Sequence, residues 1–149
     1  MNRLSSGLMN RLSSDAMLMQ TARLAAARGT CNRAQVGAVI ARDTRVITTG
    51  RVGSLPGQPH CIDVGCKIGP EGGCVRTQHA EANAIGFAAK HGIALDGAEL
   101  FVTLAPCLPC AKLIASAGIV VVKYDVEYRK TDGVEFLVEA GIRVEHFHE

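Results

Sequence analysis

His79 and Glu81 stand two residues apart, and Cys107 and Cys110 follow within Pro106-Cys107-Leu108-Pro109-Cys110. One imidazole and two thiolates make a three-donor set for zinc, and a catalytic zinc site keeps its fourth position open for water. Zinc lowers the pKa of such a water to about 7, so a strong nucleophile is accessible at neutral pH. Glu81 is then a carboxylate not needed as a ligand and free to move protons. Taken singly, each half of the pattern is weak. A C-x-x-C pair is also a redox or structural motif, H-x-E recurs by chance, and Glu81 as a fourth ligand would close the site into a structural one. Both halves together, each opening a helix, favour a catalytic centre.

The spacing says what must position these groups. His79 and Glu81 share the first turn of one predicted helix, residues 79–91, closed by Gly92. Cys107 and Cys110 are i and i+3 in the first turn of another, residues 107–117, closed by Gly118, so both sulfurs face one side. Pro106 fits just before or at that start, where a missing N–H costs nothing. Both helix N-termini aim their positive ends at the site, which favours thiolate over thiol. The 28 residues from His79 to Cys107 leave room for one helix and one strand, residues 100–103.

The other elements follow from pattern. Ser13 or Ser14 caps a helix with Asp15 in its first turn and Leu18, Ala22 and Ala25 on one stripe, ended by Gly29. Residues 36–41 and 46–49 are β-branched runs around Asp43-Thr44 and read as a hairpin. Residues 51–78 are rich in Gly, Pro and Cys without periodicity, and a loop this long is functional or held by something. Residues 119–124 read as a buried strand. Val134, Leu137 and Val138 mark a last helix ended by Gly141, and residues 142–146 alternate as a final strand. The order α-β-β-α-β-α-β-α-β predicts an α/β fold: a five-stranded mixed sheet flanked by helices.

Six cysteines less the two at the C-x-x-C leave Cys31, Cys61, Cys66 and Cys74, the number for a closed tetrahedral site. A second, structural zinc there would order the long loop beside the first site and contribute to folding. His60 is an alternative donor, and four unrelated thiols are the plainer reading. His91 ends a helix, where a charge–dipole role fits. His146 and His148 read as a surface strand end.

With 149 residues the chain reads as one domain over 14–149, preceded by a functionally silent, partly disordered tail at 1–13 in which MNRLSS occurs twice. A net charge of +2 and 4% aromatics with no Trp argue against a nucleic-acid polymer as substrate. No apolar run approaches the roughly 18 residues of a membrane span and no signal-peptide core opens the chain, so a cytoplasmic location is expected. Cysteine in that compartment reads as metal ligand rather than disulfide.

H-x-E followed by P-C-x-x-C is the signature of zinc-dependent nucleobase deaminases. More narrowly, the chain resembles the deoxycytidylate (dCMP) deaminase family of the cytidine deaminase superfamily, including its competence-associated bacterial branch, from about Met17 to Phe147. The resemblance runs through C-N-R-A-Q-V-G-A-V-I at 31–40 and P-H-C at 59–61. It continues in C-V-R-T-Q-H-A-E-A-N-A-I at 74–85, V-T-L-A-P-C-L-P-C-A-K at 102–112, E-Y-R at 127–129 and E-A-G-I-R-V at 139–144. It implies a three-layer α/β/α cytidine deaminase-like fold and hydrolysis of a cyclic amidine, dCMP to dUMP plus ammonia. It also implies the Ala80 backbone N–H on the base, with Arg33, Tyr128 and Arg129 as sugar or phosphate contacts. Family members are homo-oligomers, often hexamers, that respond to dCTP and dTTP, with magnesium accompanying the effector nucleotide. One departure bears on substrate. Members carry Gly-Tyr-Asn-Gly after the second strand, its Asn on the sugar; here the stretch is Gly50-Arg51-Val52-Gly53. Val52 cannot make that hydrogen bond, a loss of about 0.5–1.5 kcal/mol. Arg51 places a cation where the pocket rim is expected. A different nucleotide, nucleoside or polynucleotide base is the nearer alternative substrate, and a non-catalytic zinc module the more remote reading.

Overall fold

The structure, a computed structural model, describes residues 10–149. The first MNRLSS copy, at 1–6, and the start of the second lie outside the described residues. Twelve elements follow in chain order: α1 Ser14–Ala26, β1 Gly37–Arg42, β2 Arg45–Arg51, β3 Gly53–Ser54, α2 Cys61–Val64, β4 Thr77–Gln78, α3 Ala80–Lys90, β5 Glu99–Leu104, α4 Leu108–Ser116, β6 Val121–Val126, α5 Asp132–Glu139 and β7 Arg143–His146. The main sheet has five strands in the order β2-β1-β5-β6-β7. The β2, β1 and β5 contacts are antiparallel, and β5, β6 and β7 run parallel, joined by α4 and α5.

Alternation along the strands explains the layers, because successive side chains point to opposite faces. Ala38 and Ile40 of β1, Leu100 and Val102 of β5, and Val122 of β6 share one core with Ala84, Ile114 and Leu137 of the helices α3, α4 and α5. Val39, Ala41 and Phe101 point the other way, onto Leu18, Met19 and Ala22 of α1. Each fully buried large side chain contributes about 1.5–3 kcal/mol relative to exposure. Lys123 belongs to this second face. It is 8% exposed, and its ammonium is neutralised by Asp15 of α1 at 2.6 Å and lies 5.5 Å from the Phe101 ring centre.

Some sequence expectations move. Ser13 caps α1 by accepting from the Ala16 N–H at 3.0 Å. Ser13→Ala is therefore expected to cost about 1 kcal/mol, a fall of about 2–4 °C in melting temperature by thermal denaturation. The helix stops at Ala26 rather than at Gly29, with the Ala27–Gly29 amides closing a short turn, and Ala26 rather than Ala25 completes its buried stripe. Asp43 and Thr44 both have positive φ, 53° and 63°, so the two-residue hairpin turn is of the primed type that suits strand twist. The loop after β2 holds a two-stranded sheet, β3 with β4, and the single-turn α2. Elements this short carry no periodicity for sequence reasoning to find.

Register gathers one edge of the sheet. Ala38 pairs with Val102, Gly37 with Arg51, and Leu104 with Val126. The start of β1, the end of β2 and the ends of β5 and β6 therefore lie side by side, at the carboxyl ends of parallel strands where α/β proteins bind ligands.

Candidate zinc-dependent active site

A cavity of about 770 Å³ opens at that edge. Its floor carries His79, Glu81 and Cys107. His79 is the N-cap of α3 and Glu81 lies in its first turn. Cys107 is the N-cap of α4 rather than its first residue, Pro109 occupies the helix start, and Cys110 follows in the first turn. Both helix N-termini thus converge as expected, with the proline inside α4 taking the role assigned to Pro106.

His79 Nδ1 lies 3.4 Å from Cys107 Sγ and 3.3 Å from Cys110 Sγ, and the three donor atoms fall within 4.8 Å of one another. Zinc–nitrogen and zinc–sulfur bonds at about 2.0–2.1 and 2.3 Å span about 3.6 Å between N and S in a tetrahedron. The donor set therefore fits zinc. Glu81, at 4% exposure, lines the cavity beside this set. Residues 12–126 match the sequence profile of the cytidine and deoxycytidylate deaminase zinc-binding region.

The chain belongs to the cytidine and deoxycytidylate deaminase family. Among its relatives, ComE operon protein 2 of Bacillus subtilis is 44% identical over 92% of this chain and 72% of its own. The deoxycytidylate deaminase of Enterobacteria phage T4 is 33% identical over 85% of this chain and 86% of its own. The dCMP deaminase of cyanophage S-TIM5, solved in complex with dCMP and dUMP, superimposes with a TM-score of 0.82 at 34% identity, covering 93% of this chain and all of that one. The protein is a hydrolytic deaminase with the cytidine deaminase-like fold.

Electrostatics of the deaminase site follow from burial. Burial pushes the Glu81 carboxyl up to about 7, partly offset by its backbone hydrogen bond and by His79. Hydrogen bonds from Cys110 and His79 hold the Cys107 thiol down near 4, and the same pairing raises Cys110. Cys107 raises His79 in turn.

Glycine lets the ligand-bearing turns sit where they do. A Cβ on Gly50 of β2 would stand 2.1 Å from the Ala80 carbonyl oxygen, so this glycine admits the first turn of α3. One on Gly133 of α5 would stand 2.1 Å from the Pro106 carbonyl oxygen and 2.7 Å from the Cys107 carbonyl carbon. Both neighbours are backbone, so Gly133→Ala must displace Cys107. Expected is a tenfold or greater loss of kcat/KM, about 1.4 kcal/mol, with weakened zinc retention on dialysis.

The walls hold most of the expected substrate contacts. Arg33, Val52, Tyr128 and Arg129 all line the cavity. Val52 is 6% exposed, and its backbone is spent on the Val36 carbonyl and the Thr30 N–H. Arg129 lies over the Tyr128 ring, 5.2 Å from its centre. Ala80 sits between the lining residues His79 and Glu81, with its own side chain buried. Arg51 is not at the rim. Its side chain turns from the cavity with Nε buried and unpartnered, while its N–H donates to Asn83. Lys130 and the turn Glu71-Gly72-Gly73 also line the cavity and were not singled out. Lys130 extends the Tyr128-Arg129 pair, and the glycine-rich turn was the available signal for the rest.

The remaining cysteines converge as well. The sulfurs of Cys31, Cys61 and Cys66 lie within 4.8 Å of one another, and Cys74 Sγ is 3.6 Å from Cys61 Sγ. A disulfide would be near 2.05 Å, whereas sulfurs on one tetrahedral zinc stand about 3.8 Å apart. Burial pushes the Cys61 thiol up to about 12. Burial is the largest influence and works to raise Cys74, but backbone hydrogen bonds from Arg76 and Lys67 together with the Cys61 and Cys66 thiols outweigh it and bring the thiol down to about 6. His60 caps α2 beside this cluster, with its Nδ1 buried and unpartnered. His146 stacks on Tyr124 and shares a 2.7 Å hydrogen bond with the Asp125 carbonyl, in keeping with a strand end. No helix among the described residues is long and apolar enough to cross a membrane.

Proposed function

We propose that this deaminase converts dCMP and water to dUMP and ammonia, using zinc held by His79, Cys107 and Cys110. The observation that carries the reading is Glu81, a buried carboxyl on the cavity floor beside a complete three-donor set. When bound, zinc supplies Lewis acidity toward the attacking water. Glu81 accepts that water's proton and delivers it to ring N3 as C4 is attacked; it then takes the second proton from the hydroxyl now on C4 and passes it to the amine, which leaves as ammonia as the C4 carbonyl of dUMP forms. Its raised pKa suits both directions of transfer near neutrality. The Ala80 N–H contacts the base. Arg33, Arg129 and Lys130 supply positive charge for the phosphate, and Tyr128 stacks beneath Arg129 as part of that wall.

Val36, Val52, Leu104 and Ala105 give the sugar and base an apolar surround. Val52 cannot restore the missing amide, so affinity for the sugar must come from other wall residues. The test is an ammonia-release screen over cytosine nucleosides, mono- and triphosphates, modified cytosines and oligonucleotides, with zinc per chain counted alongside. Turnover of dCMP above all others is expected; faster release from another substrate would reassign it, and none from any zinc-loaded sample would leave a non-catalytic module.

A second zinc on Cys31, Cys61, Cys66 and Cys74 belongs to the same reading, supported by the sulfur cluster. So do a homo-oligomer and a magnesium-accompanied effector nucleotide, which rest on the family resemblance, and a cytoplasmic setting, which rests on the sequence's lack of a membrane-length apolar run or signal-peptide core.

A further inference from the structure

We propose that the four-cysteine cluster anchors a flap over the nucleotide cavity, making Cys66 and Cys74 positioning residues for nucleotide binding. The inference rests on the deaminase reading above. Residues 67–75 form a tight hairpin. The Val75 N–H donates to the Lys67 carbonyl at 2.7 Å, the Gly69 N–H to the Gly73 carbonyl at 2.8 Å, and Ile68 bridges to Cys74. The hairpin's tip, Glu71, Gly72 and Gly73, lines the cavity. Cys66 immediately precedes it and Cys74 lies in its second arm, one residue from its end, and both sulfurs enter the cluster.

Apolar packing does not hold it down. Its large apolar side chains face outward: Ile68 is 54% and Val75 60% exposed. An isolated two-stranded hairpin is marginal in water, so such a segment takes its position from what grips its ends. Its base carries two further contacts, Arg76 Nε donating to the Gly65 carbonyl at 3.1 Å and Cys66 Sγ 3.8 Å from Asn32 Oδ1, and at its tip Arg33 Nη1 donates to the Gly72 carbonyl at 3.1 Å. Arg33 follows Cys31 by two residues, so cluster, arginine and tip form a closed circuit around one cavity wall. Cys31 and Cys74 themselves line that wall.

The reacting groups sit elsewhere. His79, Glu81, Cys107 and Cys110 lie on α3 and α4, which pack on the main sheet. Metal on the cluster therefore fixes the wall that closes on the nucleotide and leaves the chemistry untouched. Loss of an interaction made equally in ground and transition states raises KM with kcat unchanged.

The test compares wild type, Cys66→Ser and Cys66→His for zinc per chain, steady-state kinetics with dCMP, and amide hydrogen exchange. Cys66→Ser is expected to fall from two zincs to one, with KM raised about tenfold or more and kcat within about twofold. Exchange over residues 67–75 accelerates while that of α3 and α4 holds. Cys66→His retains a ligand and restores both the second zinc and KM. An unchanged KM after loss of the cluster zinc overturns the flap, as does a fall in kcat at constant KM or faster exchange spread equally into α3. Should Cys66→Ser not fold, wild-type exchange at 67–75 with and without dCMP decides: protection supports the flap and its absence overturns it. Wild type that releases no ammonia from dCMP defeats the substrate assignment instead. The exchange of 67–75 with the cluster zinc present and removed needs no turnover and still tests the anchor.

Discussion

Glu81→Ala is expected to keep zinc and the fold while losing turnover by on the order of 10⁴-fold, about 5.4 kcal/mol of barrier. The size follows from its three tasks: one carboxyl takes the water's proton, serves N3 and then serves the leaving amine. Its neighbours do not duplicate it. His79, Cys107 and Cys110 are taken up as donors in the proposed zinc site, and among the described residues the cavity's other carboxylate is Glu71 on the flap tip. Removing the side chain also removes a buried ionisable group, so stability should hold or rise slightly. Zinc analysis, a thermal melt and ammonia release on one sample check all three points. A Glu81→Ala protein with near-normal turnover would sink the mechanism.

Cys61→Ser is expected to release the second zinc and lower stability by several kcal/mol without touching the catalytic donors. Cys61 is 1% exposed and stands 3.6 Å from Cys74, so the replacement hydroxyl is buried without a metal to face. A domain's net stability is about 5–15 kcal/mol, and a structural metal binds only the folded site, so its loss falls directly on folding. At about 2–4 °C per kcal/mol for a chain of this size, a loss of about 4 kcal/mol lowers the melting temperature by about 10 °C or more. Calorimetry with and without a chelator checks it. Equal melting temperatures and one zinc in wild type would mean four separate thiols.

Much of the fold was legible because burial leaves periodic marks. The alternation of β1 and β5 divides between two cores, and the helices end near the glycines expected for α3, α4 and α5: Gly92, Gly118 and Gly141 all have positive φ. The α1 end was misplaced, since Ala26 stops that helix without a left-handed glycine. The small sheet of β3 with β4 and the one-turn α2 left no periodic trace. Their order comes from long-range partners, including the Thr30 carbonyl bonded to the Ile62 N–H and the Thr30 hydroxyl bonded to the Ser54 N–H.

The division at the site has the same cause. Residue types and short spacings, H-x-E on one helix start and C-x-x-C on another, single out the proposed donor set and proton carrier, because each pair is a local matter of one helical turn. Counting, six cysteines less two, also singled out the four spare cysteines as a group. Only the tertiary structure decided what surrounds them. It put Arg51 outside the cavity and Val52 inside, added Lys130, and set the tip at 71–73 over the pocket with its base on the cysteine cluster. Those are contacts between segments far apart in the chain. They follow from strand register and from the close approaches at Gly50 and Gly133, which no local pattern encodes.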